Sequence, residues 1–327
     1  MKILVIGGGP AGSVSAKILA KHHDVTLIQN RKDFEKPCGG GVKSKIFSQF
    51  DIPKDLIKHE LDYIYMHYRG DKIKVDLKGD NLSVVLRKEF DAYLRNSAEE
   101  AGAKIFYGRF KRFKNNKAYV KCGEDEIGFE YDILISADGV NSTVRKALNM
   151  YNIPATITHY ATTVHYPVET CEFFFDKDVA GDYYAWAFPH TNITHIGAVK
   201  RENFKKLCDR LGLDLKPKGY KIPLWDENIE IQKDNILFVG DSAGQVMPLS
   251  FEGIYYAMHS AKIAAESILE NKNYKEEWNK RFLKEFRFMK KLQNMNKTFL
   301  RGLIVKAHKL KPVQNFSINL WLGKEDV

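Results

Sequence analysis

The sequence predicts an α/β protein with a discontinuous Rossmann-like nucleotide-binding domain, an antiparallel β-sheet domain and a helical C-terminal segment. Three observations support this prediction. A short apolar run at Lys2–Ile6 ends in three glycines and leads into a helical pattern. Residues 156–199 are rich in Thr, Tyr, Phe, Val and Ile, which is typical of a sheet. A second short apolar run, at 235–239, again leads through a glycine turn into a helical pattern, so the chain returns to the first domain.

Length and composition indicate a globular protein. With 327 residues, the chain is long enough for about two domains. Apolar residues make up 44% and charged residues 28%, which excludes a mainly disordered or collagen-like chain. No apolar run approaches the roughly 18 residues of a membrane span. The N-terminus leads directly into a strand without a cleavable signal, so we expect a cytoplasmic protein.

Cysteine and histidine spacing gives no sign of a metal site. The four cysteines, at positions 38, 122, 171 and 208, form no CxxC pair, which argues against a disulfide scaffold and a zinc or iron–sulfur site. The ten histidines show no ligand spacing and are interpreted as structural or surface residues. We therefore expect no metal.

Hydrophobic periodicity predicts the elements in chain order: a strand at 2–6, a helix at 10–22, a strand at 24–28, two strands within 63–77, a helix at 88–101, a meander at 104–131, strands at 133–136 and 235–239, and helix over 274–309. The nucleotide-binding domain is then assigned to residues 1–60, 82–150 and 230–270, the β-sheet substrate domain to 61–81 and 151–229, and the basic helical C-terminal segment to 271–327.

A GxGxxG motif joins the first strand to the first helix. Gly7 permits a tight turn, Gly9 lets the backbone approach a pyrophosphate, and Gly12 lets the helix pack on the strand. The helix N-terminus, at Pro10 and Ala11, offers free N–H groups to phosphates. The motif therefore predicts a dinucleotide site.

Two further glycine motifs follow buried strands. They are Asp138-Gly139 after 133–136 and Gly240-Asp241 after 236–239. A strand that ends in Gly-Asp before a helix places a carboxylate beside a helix N-terminus, where it can hold a polyol such as a ribityl chain. The usual acidic ribose ligand is replaced by Gln29, whose amide can still hydrogen-bond a hydroxyl. These features leave FAD as a possible cofactor.

Over about residues 1–265, the sequence resembles the FAD-dependent oxidoreductases of the aromatic hydroxylase superfamily. It has their GxGxxG, DG and GD motifs, and Arg87, Phe90 and Asp91 match a further part of the pattern. Within that superfamily it is most similar to the geranylgeranyl reductases. Three local features carry this resemblance: the PCGGG loop at 37–41, the YxWxFP motif at 184–189 and EGIY at 252–255.

The resemblance implies a set of site residues. Those expected to bind FAD are Gly7, Gly9, Pro10, Ala11, Gly12, Gln29, Cys38, Gly39, Gly40, Arg87, Asp138, Gly139, Gly240, Asp241, Gly253 and Ile254. Those expected to bind substrate are Tyr184, Trp186, Phe188, Pro189 and Phe251. Phe251 departs from the family, because it replaces the glycine that begins a GxG run near the flavin.

The implied reaction is saturation of C=C bonds in an isoprenoid: a prenyl diphosphate, a polyprenyl lipid or a quinone side chain. Reduced flavin would transfer hydride to one alkene carbon, and Tyr184, Cys38 or water would protonate the other. NAD(P)H and ferredoxin both fit as electron donors. An FAD-dependent monooxygenase or halogenase of an apolar or aromatic substrate is one alternative, and a non-enzymatic flavoprotein or lipid-binding module is another. From the residues alone, Cys38 also fits a packed loop, and Tyr184, Trp186 and Phe188 fit an ordinary core face.

The net charge of +10 is concentrated near the C-terminus. Residues 280–311 contain eleven Lys or Arg and one acid, Glu285, so this segment carries the whole net charge. Apolar residues recur in it at helical spacing, which fits either a docking helix or an interfacial helix on an anionic membrane. A lipid substrate favours the second interpretation, which would place the protein peripherally on the inner membrane face. Nucleic acid is not an expected partner.

Overall fold

The computed structural model describes residues 1–33, 36–77, 79, 81–150 and 154–322. The strands, in chain order, are β1 Lys2–Ile6, β2 Asp24–Gln29, β3 Gly41–Lys43, β4 Ile57–Leu61, β5 Tyr63–Tyr68, β6 Asp71–Asp76, β7 Leu82–Val85, β8 Lys104–Tyr107, β9 Arg109–Lys114, β10 Lys117–Cys122, β11 Asp125–Glu130, β12 Ile133–Ser136, β13 Thr156–Val164, β14 Glu172–Phe174, β15 Ala185–Pro189, β16 Thr194–Val199, β17 Lys218–Pro223, β18 Gln232–Lys233 and β19 Ile236–Phe238.

The α-helices are α1 Pro10–Leu19, α2 Ile46–Gln49, α3 Arg87–Glu100, α4 Thr143–Ala147, α5 Lys177–Ala180, α6 Arg201–Leu211, α7 Ile254–Leu269, α8 Tyr274–Asn296, α9 Arg301–Ala307 and α10 Lys311–Leu322. Short 3₁₀ helices lie at Lys54–Leu56 and Gly240–Ala243. The helix predicted over 274–309 is wrong in one respect, since it is divided into α8 and α9. Among the described helices, none is both long and apolar enough to cross a membrane.

The chain forms two compact units. The first comprises Met1–Glu35, Lys88–Thr156 and Ile222–Met289, and the second comprises Lys36–Arg87, Ile157–Lys221 and Lys290–Val327. These bounds differ from the sequence-based domains, which placed 36–60 with the nucleotide-binding domain. Strand pairing explains the difference, because β3 and β4 both pair with β7 in a small sheet of the second unit.

The first unit is built on a six-stranded sheet in the order β18-β19-β12-β1-β2-β8. β1 pairs in parallel with both β12 and β2, and only the edge pair β18–β19 is antiparallel among the described strands. Residues 3–6 of β1 are almost fully buried, as expected for a parallel strand covered on both faces. The predicted discontinuous Rossmann-like fold is confirmed. The predicted meander is shorter than expected, because β8 joins the large sheet and only β9–β11 form the meander.

The second unit contains a seven-stranded sheet in the order β17-β13-β16-β15-β14-β5-β6. Its described pairings are antiparallel except for β14 beside β5, which is parallel. α6 covers one face, where Phe204 and Leu207 join a core cluster with Ala185 and Ala187. The opposite face carries Trp186, which packs in a cluster with residues of α9 and α10.

Candidate active site

In the glycine loop of the first unit, two glycines are needed for close packing and one leaves its backbone open to a ligand. Gly7 has φ +107°, and a Cβ on it would lie 2.2 Å from the Ala137 carbonyl oxygen. A Cβ on Gly12 would lie 1.8 Å from the Gly7 oxygen. A Cβ on Gly9, in contrast, would meet no described atom within 4 Å. Gly7 and Gly12 are therefore required by the fold, whereas Gly9 leaves its backbone accessible.

The N-terminus of α1 is suited to an anion. Gly9 is its N-cap and supplies no side-chain hydrogen bond, while Pro10 occupies the first turn. The first N–H groups of such a helix have no intrahelical acceptor, and the helix dipole favours negative charge there. The open backbone at Gly9 and the free helix end fit the pyrophosphate of FAD.

Gln29 has a different environment from the one that a ribose ligand suggests. Its side-chain oxygen accepts a hydrogen bond from the Gly8 N–H (2.8 Å), and its amide nitrogen donates to the Arg31 carbonyl (3.0 Å). Arg95, buried in α3, donates to the Gly8 carbonyl at 3.0 Å. Gln29 and Arg95 thus hold the glycine loop from two sides.

Arg95 was missed by sequence reasoning. The available signal was helical spacing, since Arg95 lies four residues after Asp91 and three before Ala98, both of which are buried. A basic residue in a helix is more often solvated, so this spacing alone was weak.

Asp138 stabilises the loop that follows β12. Its carboxylate accepts hydrogen bonds from the N–H groups of Thr143 (2.6 Å) and Val144 (3.1 Å) and from the Ser136 hydroxyl (2.8 Å). Gly139 has φ +79°, and a Cβ on it would meet no described atom within 4 Å. Asp138 therefore shapes the turn, while the Gly139 backbone is the accessible part of the motif.

Arg145 connects the DG and GD motifs. Its guanidinium donates to the carbonyls of Ser242 and Glu230, the second at 2.6 Å, and the Ser242 hydroxyl donates to the Ser136 carbonyl at 2.6 Å. Burial lowers the pKa of Arg145 to about 10, so the group stays charged at neutral pH. This buried charge fixes the ends of β12 and β19 relative to each other.

The GD motif lies beside the N-terminus of α7. Gly240 has φ +63° and begins a 3₁₀ turn, and a Cβ on Gly253 would lie 3.6 Å from the Asp241 Oδ1 atom. Gly253 is the N-cap of α7, and α7 begins at Ile254 without a side-chain cap. Phe251, two residues earlier, has φ +55°. The carboxylate, the helix end and Phe251 are thus brought together in the first unit.

In the second unit, the PCGGG loop packs against the YxWxFP strand. A Cβ on Gly39 would lie 2.7 Å from Phe188 Cδ2 and 3.4 Å from Trp186 Nε1. Gly40 has φ +74°, and its Cβ would lie 2.1 Å from the Val85 carbonyl oxygen. The Gly40 N–H donates to Cys38 Sγ at 3.4 Å. Two motifs that are about 150 residues apart in the sequence thus form one surface, which admits no side chain at these glycines.

Tyr184, Trp186 and Phe188 alternate along the chain and share one face of the sheet. Phe173 contacts both Tyr184 and Phe188, with ring centroids 5.4 and 5.1 Å apart. Trp186 lies over Gly197, where a Cβ would be 2.1 Å from its ring. This aromatic wall is apolar and continuous. Pro189 ends β15, and Arg87 is the first residue of α3 and is buried.

Three of the histidines that the sequence analysis interprets as structural or surface residues are buried and border the aromatic wall. Trp186 Nε1 donates to His195 Nδ1 at 3.1 Å, and the His159 ring lies 5.8 Å from the Trp186 ring. Burial lowers the pKa of His195 to about 3 and lowers the pKa of His190 as well. His190 continues the alternation 184, 186, 188, which was the available sequence signal. No group of ligands for a metal ion is found in the described ranges.

Similarity to known proteins agrees with this geometry. Residues 1–207 match the family described as FAD binding domain. The chloroplastic geranylgeranyl diphosphate reductase of Nicotiana tabacum is 32% identical over 91% of this chain and 72% of its own length. The chain belongs to the geranylgeranyl reductase family. As a member of this family, it is an FAD-dependent oxidoreductase, and FAD is its cofactor.

One further relative of this reductase and one solved structure are similar over most of their lengths. The digeranylgeranylglycerophospholipid reductase of Methanocaldococcus jannaschii is 30% identical, over 87% of this chain and 80% of its own length. A solved geranylgeranyl bacteriochlorophyll reductase-like protein from Thermoplasma acidophilum has a TM-score of 0.85 at 20% identity, with 97% of this chain and 95% of that one covered. The similarity to the Thermoplasma acidophilum structure establishes the fold of this chain.

Proposed function

We propose that the chain is an FAD-dependent reductase that saturates C=C bonds of an isoprenoid: a prenyl diphosphate, a polyprenyl lipid or a quinone side chain. The observation that carries the proposal is the contact of the Cys38–Gly41 loop with Trp186 and Phe188. Family membership supports the same reaction type.

The aromatic wall suits a long apolar chain. Trp186 and Phe188 are buried in the cluster, and Tyr184 and Phe173 are its partly exposed rings. An apolar site with few polar groups is typical for such ligands. The hydroxyl of Tyr184 within the wall and the buried histidines beside it can orient one part of the substrate. A polyisoprenoid therefore fits this face by its chemistry.

When bound, FAD supplies the hydride equivalent. The chain's own residues then have two tasks. Backbone groups at Gly9, Gly139 and the N-termini of α1 and α7 hold the cofactor's anionic and polar parts. A proton must also reach the second alkene carbon, and the hydroxyl of Tyr184 and the thiol of Cys38 are our candidate donors. Each saturated bond then consumes one hydride and one proton.

The test is an anaerobic single-turnover reaction. The purified holoprotein is reduced with dithionite and mixed with prenyl diphosphates, prenyl quinones and polyprenyl lipids, and products are identified by mass spectrometry. Gain of hydrogen pairs with flavin reoxidation is the expected result. Gain of one oxygen atom only after air is admitted would instead support a monooxygenase. No product in either arm would support a binding protein.

Two variants assign the proton donor. Tyr184→Phe and Cys38→Ser are compared by the rate of flavin reoxidation with substrate under argon. We expect a loss of about 10²-fold or more in the variant that lacks the donor, with flavin content unchanged. If both variants reoxidise flavin at the rate of the parent, water is the donor.

The electron donor and the cellular position belong to the same proposal. NAD(P)H or ferredoxin would reduce the flavin. Loss of the flavin's visible absorbance when each one is added under anaerobic conditions shows which of them is the electron donor. A polyprenyl lipid resides in a bilayer, so we also propose a peripheral position on a membrane.

A further inference from the structure

The C-terminal helices of the second unit have two dissimilar faces. In α10, Gln314, Ile318 and Leu322 are buried at a spacing of four residues, and in α9 Arg301 and Val305 are buried at the same spacing. Val305, Ile318 and Leu322 belong to the cluster that contains the aromatic wall. The inner face of both helices is therefore fixed on the second unit's core.

Large apolar side chains are exposed on the opposite face of the two helices and in the turns on either side of α9. Leu303 in α9 is 65% exposed and Phe316 in α10 is 61% exposed, while Phe299 and Leu310 in the turns are 88% and 61% exposed. Leu303 and Phe316 each lie two positions from a buried residue, on the far side of the helix. We call these four residues the outer face of α9–α10. Because both helices bury their other side on the same cluster, Leu303 and Phe316 are directed away from that cluster.

Polar contacts hold these helices firmly on the unit. Arg301 donates to the carbonyls of Phe175 and Gly181, the second at 2.6 Å. Gln314 donates to the Lys74 carbonyl at 2.9 Å, and Lys309 forms an ion pair with Asp71 at 2.8 Å. The exposure of the outer face is therefore a property of a well-anchored element and not of a frayed end.

The segment that carries this face has charged side chains of one sign, although Asp71 and Asp76 of β6 pair with Lys309 and Lys311. From Phe286 to Leu322 the sequence has no Asp or Glu, whereas Lys297 and Lys306 are exposed near the outer face. Apolar side chains flanked by lysines are the chemistry that binds the interface of an anionic bilayer. A water-facing surface has no need of four such side chains.

The sequence had pointed to 280–311 for this role, and the structure divides that stretch. Phe282, Phe286 and Met289 are buried, and Phe282 and Phe286 pack with Tyr256 in the first unit. The apolar stripe of α8 up to Met289 is thus a docking stripe. Phe288 and Met295 in α8 are 39% and 41% exposed, and the most exposed apolar residues lie later, at 299–316.

We propose that the outer face of α9–α10 is the surface that docks this protein on an anionic lipid bilayer. Phe299, Leu303, Leu310 and Phe316 enter the interface, and Lys297 and Lys306 contact lipid phosphates. This inference rests on the proposed function for its purpose, since a polyprenyl lipid must be reached in a membrane. Its geometry is independent of that function.

Vesicle co-sedimentation of the full-length holoprotein tests the proposal. Vesicles contain phosphatidylcholine alone or phosphatidylcholine with phosphatidylglycerol. We expect binding that needs phosphatidylglycerol and weakens with salt. The variant Phe299→Ser/Leu303→Ser/Leu310→Ser/Phe316→Ser should bind about tenfold more weakly or worse, and Lys297→Glu/Lys306→Glu should lose the lipid preference.

A matched control carries Ile127→Ser and Leu269→Ser, two exposed apolar residues of the first unit, and should bind like the parent. Unchanged binding of the four-serine variant would overturn the proposal. So would a dimer of the parent that this variant abolishes without any effect on vesicles, because a second copy would then be the occupant.

Failure of the proposed function gives a different result. If vesicles bind normally but no isoprenoid is reduced, the docking surface stands and the reductase assignment falls. If a prenyl diphosphate is reduced in solution but anionic vesicles are ignored, the reductase stands and the docking surface falls.

Discussion

The indole nitrogen of Trp186 donates a hydrogen bond to Nδ1 of His195 at 3.1 Å, within the buried interior of the second unit. This contact fixes the His195 ring in the neutral form with its proton on Nε2. It also positions the central ring of the aromatic wall. Burial, reinforced by His190 and His159, lowers the pKa of His195 to about 3, so protonation opposes the native state.

We expect stability to depend on pH through this histidine. The folded pKa lies below the unfolded value near 6.5, so the unfolded state binds the extra proton between pH 6.5 and 3. Stability is therefore complete above pH 6.5 and falls as the pH decreases, by about 2 kcal/mol from His195 between pH 6.5 and 5.

Urea denaturation at pH 7 and pH 5 measures this effect. His195→Gln keeps an acceptor for Trp186 and should lose less stability over that interval than the parent. The exposed His165→Gln serves as the control and should follow the parent. Identical pH dependence in all three proteins would contradict the assignment.

The two neighbouring glycines of the nucleotide loop should give opposite phenotypes. The Cβ added by Gly9→Ala meets no described atom, so the free energy of unfolding of the apoprotein should stay within about 1 kcal/mol of the parent's. Flavin binding, in contrast, should be lost. Gly12→Ala overlaps the Gly7 carbonyl at 1.8 Å and should destabilise the fold by more than about 2 kcal/mol. Apoprotein melting and flavin absorbance separate the two effects. A Gly9→Ala protein with full flavin content would refute the predicted pyrophosphate site.

Contact between Gly39 and Phe188 predicts an energetic coupling. Gly39→Ala places a methyl group 2.7 Å from Phe188 Cδ2 and should cost about 1–3 kcal/mol. Phe188→Leu provides room, so the double variant should recover at least about 1 kcal/mol relative to additivity. Chemical denaturation of the parent, the two single variants and the double variant gives the four free energies of unfolding of this double-mutant cycle. Strictly additive changes in free energy would mean that Gly39 does not contact the Phe188 ring.

Phe251 should show strain of the backbone rather than of the side chain. A non-glycine residue at φ +55° costs about 1–2 kcal/mol. Phe251→Ala and Phe251→Gly both remove the ring, so their difference reports the Cβ alone. We expect the glycine variant to be more stable by about 1 kcal/mol, the reverse of the usual order. If alanine is the more stable, the left-handed conformation is not retained.

Local patterns made the fold largely predictable. β1 and β12 were found within their observed bounds, because a buried strand ended by glycines is a short-range signal. The contact of the PCGGG loop with the YxWxFP motif was not accessible from spacing, since it joins residues about 150 positions apart. The same holds for Arg95 and Gly8, whose hydrogen bond spans 87 positions.

Individual roles were the hardest to foresee. Cofactor contact by Gln29 and Asp138 stays a prediction, and the structure adds that each makes internal hydrogen bonds that shape the loop beside it. A polar side chain at a strand end looks the same in sequence whether it binds a ligand or its own backbone. Only the positions of its partners distinguish these cases.

The interleaving of the chain has a consequence for its synthesis. β1 is made long before β19, which belongs to the same sheet, and α1 packs against α7, whose residues follow β19. On the ribosome, the sheet and the helix layer on it therefore cannot be completed until most of the residues up to α7 have been translated. A nascent chain of this kind is exposed to aggregation throughout elongation. Its yield in a cell should therefore respond to chaperone supply and translation speed more than its final stability would suggest.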